Sequence, residues 1–559
     1  MKKLSIYIFL LMPLFLMAQT NAVANNPTNN KALETKKVAS TRTSLSIPIL
    51  PNELWWGGAV NDGYSMPYQE GFSYNMYGDN KGNQVQPLLI SNKGRVVWSE
   101  QPFKFTFSKT AILLEDVRGE IFQNTSGKSL KEAFAFASSN YFMADGKMPD
   151  EMLFSAPQYN TWIELMYNQN QEDILKYAHA IIDNGLPPGV LMIDDNWQEN
   201  YGKWDFHKGR FPNPTAMMNE LHELGFKVML WVCPFVSPDS DVYRDLTKKG
   251  LFLKNPKNVN ISAAPWIPAG QPAMIYWWNG ASAVLDLSNP AAEKWFKGEL
   301  NSLMKKYNVD GFKLDAGDFY FYPDNLVSHI PGTTPNQQSE LFGKIGLDYP
   351  LNEYRAMWKM AGKPLAQRLS DKAHSWSDLK MLIPNITGQG LLGYAFSCPD
   401  MIGGGEFSSF LNTKNIDQEL IVRSAQVHAL MPMMQFSVAP WRILDKQHLN
   451  AIKASVALRK KFTPYIMTLT KEAAQTGRPI VRTMEYEFPN QGFEKLNDQF
   501  MLGENVLIAP VLQKNTTEKT VQLPKGNWKD WTGKSYKGGK KITITTELNT
   551  LPYFERITK

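Results

Sequence analysis

Hydrophobic and polar positions change their period twice along this chain. From Ile47 to about Met148 the apolar runs are short and strand-like, as at 85–91, 96–99 and 103–107, with turn residues such as Asn92-Lys93-Gly94 between them. This predicts an antiparallel N-terminal β-sandwich. Near Leu153 the period lengthens and alternates. Residues 161–167 read as a strand and 171–184 as a helix ending at Gly185, followed by a strand at 190–193. A helix at 213–224 has Pro214 at its start, and 227–232 is again a strand. A helix at 290–307 leads into a strand at 311–314, and further strands are expected at 364–369, 393–397 and 431–438. Helical periodicity over 450–473 closes the region, and the tail returns to β at 480–484, 506–511 and 541–545. Strands alternating with helices imply a parallel sheet, and this many units suit a closed barrel. The fold class is α/β, with a central (β/α)8 TIM barrel flanked by an N-terminal β-sandwich and one or more C-terminal β domains. The expected boundaries are a signal peptide at 1–20, a disordered leader and the sandwich at 21–150, the barrel at 151–474 and the C-terminal β region at 475–559.

Length and composition agree with several domains: 559 residues, 43% hydrophobic and 20% charged. Lys2 and Lys3 precede the apolar run 4–17, and small residues follow around Ala18 and Ala22, so the N-terminus reads as a signal peptide and the protein as exported, periplasmic or secreted. No later stretch is long enough without charge to enter a bilayer. A formal charge of +6, scattered along the chain, gives no electrostatic footprint for nucleic acid. Cys233 and Cys398 lie in separate apolar runs and read as buried free thiols, and no Cys/His cluster has metal-ligand spacing, so neither metal nor cofactor is expected. Oligomeric state is open. The 12% aromatic content mildly favours a carbohydrate ligand.

Candidate chemistry centres on 311–318, Gly-Phe-Lys-Leu-Asp-Ala-Gly-Asp. An apolar strand ends there by presenting Asp315 beside Lys313, the way a barrel enzyme displays an ionised nucleophile. A second isolated carboxylate, Asp378, follows Trp376 in His374-Ser375-Trp376-Ser377-Asp378. Two such carboxylates suggest glycoside hydrolysis. Alone, each segment reads equally well as a helix cap or a surface ion pair; their order along a β/α chain points to chemistry. Asp194-Asp195 could likewise cap a helix and Trp231 could be barrel core, whereas His207 and His374 read as structural.

The order of these motifs resembles glycoside hydrolase family 31, the retaining α-glycosidases. Met192-Ile193-Asp194-Asp195-Asn196-Trp197 resembles the family's sugar-binding aspartate after the second strand, Trp204-Asp205-Phe206 with Arg210-Phe211-Pro212 its tryptophan and Phe-Pro run, and 227–234 its third strand with Trp231 lining the pocket. Lys313-Leu314-Asp315 resembles the nucleophile motif, and Arg368 before Trp376-Ser377-Asp378 the arginine and acid/base aspartate. The run 498–503 with Ala509-Pro510-Val511 resembles the family's segment after the barrel. The resemblance implies Asp315 as nucleophile, Asp378 as acid/base with Trp376 as its apolar wall, and a glycoside or oligosaccharide held by Asp194, Asp195, Trp231, Lys313, Arg368, Cys398 and Asp400. Should Asp378 prove dispensable, Asp371 is the first replacement and Asp400 the next. Two departures bear on the sugar. The acid/base run lacks the customary glycine. Ser397-Cys398-Pro399-Asp400 also lacks the histidine that many family members place on equatorial hydroxyls, and this version resembles the family's α-galactosidase-like branch. The expectation is an α-galactosidase, with α-glucosidase or α-xylosidase, and a non-catalytic sugar-binding relative, as alternatives.

Overall fold

The computed structural model describes residues 43–256, 270–411, 414 and 416–557. The expected signal peptide and nearly all of the polar leader lie outside the described residues. Eight parallel strands form the centre: β1 (Gln158–Asn160), β2 (Val190–Ile193), β3 (Lys227–Val232), β4 (Gly311–Leu314), β5 (Leu351–Tyr354), β6 (Gln367–Arg368), β7 (Ser397–Cys398) and β8 (Gln435–Phe436). Each pairs with the next, and β8 pairs back onto β1, so the ring is complete except for a ladder between β7 and β8. There the Ile402 amide donates to the Gln435 carbonyl at 2.8 Å. Strands such as Val-Leu-Met-Ile of β2 are buried on both faces because helices cover the outside and side chains fill the inside.

The connecting helices start and stop where their ends are satisfied. In Pro290–Tyr307, the Asn289 side chain accepts from the Ala291 amide, Pro290 takes the first turn, Lys305 and Lys306 occupy the last, and Asn308 ends the helix in the left-handed region. The sequence places the first strand a few residues late: 161–167 contains a turn and the short helix Trp162–Leu165. It omits β5, whose polar Asn352 and Glu353 face partners inside the protein and break the apolar signal. β6, β7 and β8 are only two residues long, β6 and β8 inside the expected runs and β7 at the end of its own, because few residues of each reach a neighbouring strand.

Ahead of the barrel, Thr43–Pro48, Ala111–Val117, Lys104–Phe107 and Ser73–Asn75 form one antiparallel sheet. A second is built around Gln84–Ser91, with Arg95–Ser99, Ile121–Thr125 and Trp55–Ala59. Val85, Leu89, Phe103, Phe105 and Leu114 fill a common core between them. The second sheet also takes a strand from the barrel region, Met357–Trp358, which pairs with Gln84 and Val85. After the long helix Lys446–Thr476 the chain forms a six-stranded C-terminal sheet and a separate pair, Glu518–Leu523 with Lys540–Thr545. No helix among the described residues is long and apolar enough to cross a membrane.

At Gly311, β4 packs tightly against β5. A Cβ there would sit 1.9 Å from the Leu351 carbonyl oxygen, which belongs to backbone and cannot swing aside. Gly311→Ala should therefore force the two central strands apart and destabilise the protein by about 3 kcal/mol. Thermal unfolding checks this; a midpoint unchanged within a degree would show that the barrel absorbs the methyl group.

Candidate active site

Asp194, Asp195, Trp231, Lys313, Asp315 and Arg368 converge at the C-terminal ends of the strands. A cavity of about 330 Å³ opens there, at the small end of the ~300–1,000 Å³ usual for ligand pockets. β2 delivers Asp194 and Asp195, β3 Trp231, β4 Lys313 and Asp315, β5 Arg355, and β6 Arg368, Ser370 and Asp371. Trp162, Tyr167, Trp278, Tyr320, Glu406 and Phe407 form the walls.

Asp315 lies at the centre, with only 7% of its surface exposed. Its Oδ1 accepts from Arg355 Nε at 3.0 Å and from the Ala316 amide at 2.8 Å, and its Oδ2 accepts from Trp231 Nε1 at 3.1 Å. Burial alone would raise its pKa. The charges of Arg355, Lys313 and Arg368 outweigh that and hold the carboxyl well below the usual carboxylate range. The direct partner is thus Arg355, which the sequence reading missed. Lys313 instead closes a buried ion pair with Asp194 at 2.6 Å and acts on Asp315 only through space. An arginine one residue past a strand, between two strands whose ends carry candidates, was the available signal for Arg355.

Asp195 stands next to that pair. Burial and the neighbouring Asp194 charge push it up to about 7, against the pull of several donors. These include the Asn196 amide at 2.6 Å, Tyr201 Oη at 3.1 Å and Asn279 Nδ2 at 2.6 Å. Asn279 lies at the turn between Met274–Trp277 and Gly280–Val284, so this antiparallel hairpin, inserted after β3, completes one wall.

The second half of the expected site is rearranged. Asp378 does not line the cavity. It is the third residue of the helix Trp376–Leu391, where its Oδ2 accepts from the Ala373 amide at 2.7 Å and its Oδ1 from Ser375 Oγ at 2.9 Å. Its own amide donates to Ser375 Oγ at 3.1 Å, so the motif is a reciprocal cap. Trp376 does not wall an acid either; its Nε1 donates to Asp417 at 3.0 Å, away from the cavity. Cys398 is buried within the barrel, where its Sγ lies 3.6 Å from the Asp400 carbonyl oxygen. Asp400 is fully buried behind the lining, accepting from Arg368 Nη1 at 2.7 Å, the Lys372 amide at 2.8 Å and the Gly405 amide at 3.0 Å. Arg368 pairs with carboxylates: Asp400 and Asp371 at 2.7 Å and, from Nε, Glu353 at 3.4 Å. It orients these acids while still lining the cavity.

Asp194, Asp195, Asp371 and Glu406 share the cavity with Asp315, and of these Asp371 lies just past β6, its side chain 38% exposed and its Oδ1 on Arg368. Its position three residues past Arg368, just beyond a strand end, was the sequence signal. Gly405 backs it, since a Cβ there would approach Asp371 Oδ1 to 2.9 Å. His374 is structural, held between the Gly403 carbonyl and the Asp417 amide.

If Asp378 serves only as a cap, Asp378→Ala should lower stability by about 1 kcal/mol and leave the cavity intact. Thermal unfolding together with a structure of the variant checks both halves. A displaced Asp371 would overturn the separation of the two carboxylates.

Comparison with known proteins gives the family. A family model described as "Glycosyl hydrolases family 31 TIM-barrel domain" matches residues 151–469, and one described as "Glycosyl hydrolase family 31 C-terminal domain" matches 477–557. The chain is 31% identical over 421 residues to "Myogenesis-regulating glycosidase" of Mus musculus, covering 73% of this chain and 57% of that protein. It is 28% identical over 494 residues to "Alpha-glucosidase 2" of Bacillus thermoamyloliquefaciens, covering 78% and 59%. The chain thus spans somewhat under three fifths of the length of these two relatives. Among solved structures, a Flavobacterium johnsoniae GH31 dextranase complexed with glucose superposes with a TM-score of 0.80 at 20% identity, over 92% of this chain and 66% of that one. With more than half its length matched by the barrel model, and a barrel whose strand ends carry the site, the chain belongs to glycoside hydrolase family 31.

Proposed function

We propose that this protein is a retaining exo-α-glycosidase, with Asp315 as nucleophile and Asp371 as acid and base. One observation carries the reading: a buried carboxylate held ionised by Arg355 and Trp231 shares a small cavity with a second, exposed carboxylate. Asp315 attacks the anomeric carbon while the bond to the leaving oxygen breaks, and Asp371 gives that oxygen its proton. Water then attacks the glycosyl-enzyme, Asp371 takes its proton, and Asp315 leaves as the anion that its neighbours favour. Two inversions return the α-anomer. A cavity of this volume suits one terminal sugar, with the aromatic rim of Trp278, Tyr320 and Phe407 left for the aglycone. The segment 1–20, read from the sequence as a signal peptide, supports export.

For the sugar, the printed names of the relatives, α-glucosidase and dextranase, support an α-glucoside, or the stereochemically similar α-xyloside, better than the α-galactoside expected from the sequence. Part of that expectation also loses its premise, since Cys398 and Asp400 stand behind the lining. An α-galactoside remains the second reading because no histidine among the described residues lines the cavity, while Asp194 and Asp195 offer acceptors side by side.

A panel of p-nitrophenyl α-glycosides read by proton NMR tests both parts. The α-product should appear first; initial β-product would sink the retaining mechanism. Asp315→Ala should abolish turnover of every α-glycoside. Asp371→Ala should keep its first step on an α-glycosyl fluoride and gain rate with azide, whereas Asp378→Ala should turn over like the parent enzyme. The reverse pattern would return the acid role to Asp378.

Arg355 sets the pH range. Without its charge, burial dominates at Asp315, its pKa rises, and the ionised fraction is lost as pH falls. Arg355→Met should therefore lower kcat/KM by about a hundredfold near pH 5 and by less near pH 8. A loss equal at both pH values would show that the guanidinium does not set the charge of the nucleophile.

A further inference from the structure

The groups that fix Asp315 do not all come from the barrel. The segment 79–84 of the N-terminal β region reaches the base of the cavity. Asn80 is fully buried, and its Nδ2 donates to Asp318 Oδ1 at 2.8 Å and to the Asn83 carbonyl at 3.1 Å, so the amide orientation is set by two acceptors. Asp318, also fully buried, receives Arg355 Nη1 at 3.0 Å and the Arg355 Nη2 donor as well. The Gly82 carbonyl takes Arg355 Nη1 at 2.7 Å. Only Nε is left, and it donates to the nucleophile. The backbone is held from the same side. Asn83 and Gln84 donate to the Arg355 carbonyl at 3.1 and 2.7 Å, and two residues later Met357–Trp358 joins the N-terminal sheet.

We propose that Asn80 is a positioning residue for the reaction: by fixing Asp318 it aims the Arg355 guanidinium at Asp315, which makes the N-terminal β domain part of the catalytic machinery. A guanidinium is a planar fork, so gripping two of its nitrogens determines where the third points. Arg355 lies between two carboxylates, and a rotation that follows a loosened Asp318 removes Nε from Asp315. The other charged or titratable groups around Asp315 include Lys313 on β4, Arg368 on β6 and Asp371 after it, Asp194 and Asp195 after β2, Cys233 after β3 and Tyr320 on the loop after β4. Lys313 is paired with Asp194, and Arg368 with Asp371, Asp400 and Glu353. None of them makes the direct contact that Arg355 makes, so none replaces it.

The inference rests on the retaining-glycosidase reading, and its test separates the two. Asn80→Ala and Asn80→Ser in the full chain remove the reach to Asp318 while keeping a small residue at the site. Each should lower kcat about tenfold with KM nearly constant, and shift the acid limb of kcat/KM to higher pH by roughly half a unit to one unit. The loss should be the same on an aryl glycoside and on a glycosyl fluoride, because the defect lies with the nucleophile and not with the proton donor. Carbon NMR of [13C]aspartate-labelled protein, with Asp315→Asn for assignment, should show the Asp315 carboxyl titrating higher in both variants. An unmoved acid limb with an unmoved NMR titration would overturn the role of Asn80, as would a defect that disappears with the fluoride. A parent enzyme silent on every glycoside would instead sink the function, and the NMR titration would still decide whether Asn80 governs Asp315.

Discussion

The site depends on keeping one carboxylate ionised inside the protein. An unpaired buried carboxylate costs several kcal/mol and takes up a proton instead. Asp315 avoids this because Arg355, Trp231 and the Ala316 amide bond it directly, with Lys313 and Arg368 nearby. Those cations are themselves buried and need counter-charges. Lys313 has Asp194, Arg355 has Asp318, and Arg368 has Asp371, Asp400 and Glu353. The cavity floor is a lattice of charges in which Lys313, Arg355 and Arg368 are shared among carboxylates that outnumber them.

A parallel barrel suits this lattice because adjacent strands run in register. Trp231, Lys313 and Glu353 lie side by side on β3, β4 and β5, so their spacing is set by backbone hydrogen bonds. Below them Gln435 donates to both Glu353 and Gln158 at 2.7 Å, carrying the polar layer through to β8 and β1. An interior polar network of this kind restricts motion as well as charge, which fits a site that must hold its groups to within fractions of an ångström. The N-terminal region adds its own hydrogen bonds to Asp318, Arg355 and the Ser370 amide, so groups on β4, β5 and β6 share a support outside the barrel.

That Asp371 and not Asp378 lines the cavity has a definite physical cause. Ser-x-x-Asp at the start of a helix and an isolated catalytic carboxylate are alike as strings, since both are aspartates beside polar residues ahead of an apolar run. What separates them is whether the oxygens are consumed locally. Asp378 spends both on the Ala373 amide and on Ser375, whereas Asp371 places one oxygen on Arg368 and lines the cavity. Lys313 shows the same limit, because proximity to Asp315 along a strand does not say which carboxylate its long side chain reaches.

Much of the fold was legible in the chain. The periods of β2, β3 and β4, the proline and asparagine that open the helix Pro290–Tyr307, and the strand ending at Asp315 are local properties of the residues themselves. So was the placement of Asp315, the proposed nucleophile, because a strand that stops at a carboxylate carries its own signal. The strand β5, the guanidinium of Arg355, the inward turn of Asp371 and the reach of Asn80 over 238 residues to Asp318 were decided only in three dimensions. Backbone periodicity is written over a few neighbouring residues. The partner of a buried charge is chosen among all the elements that folding brings within hydrogen-bonding distance, and no local pattern encodes that choice.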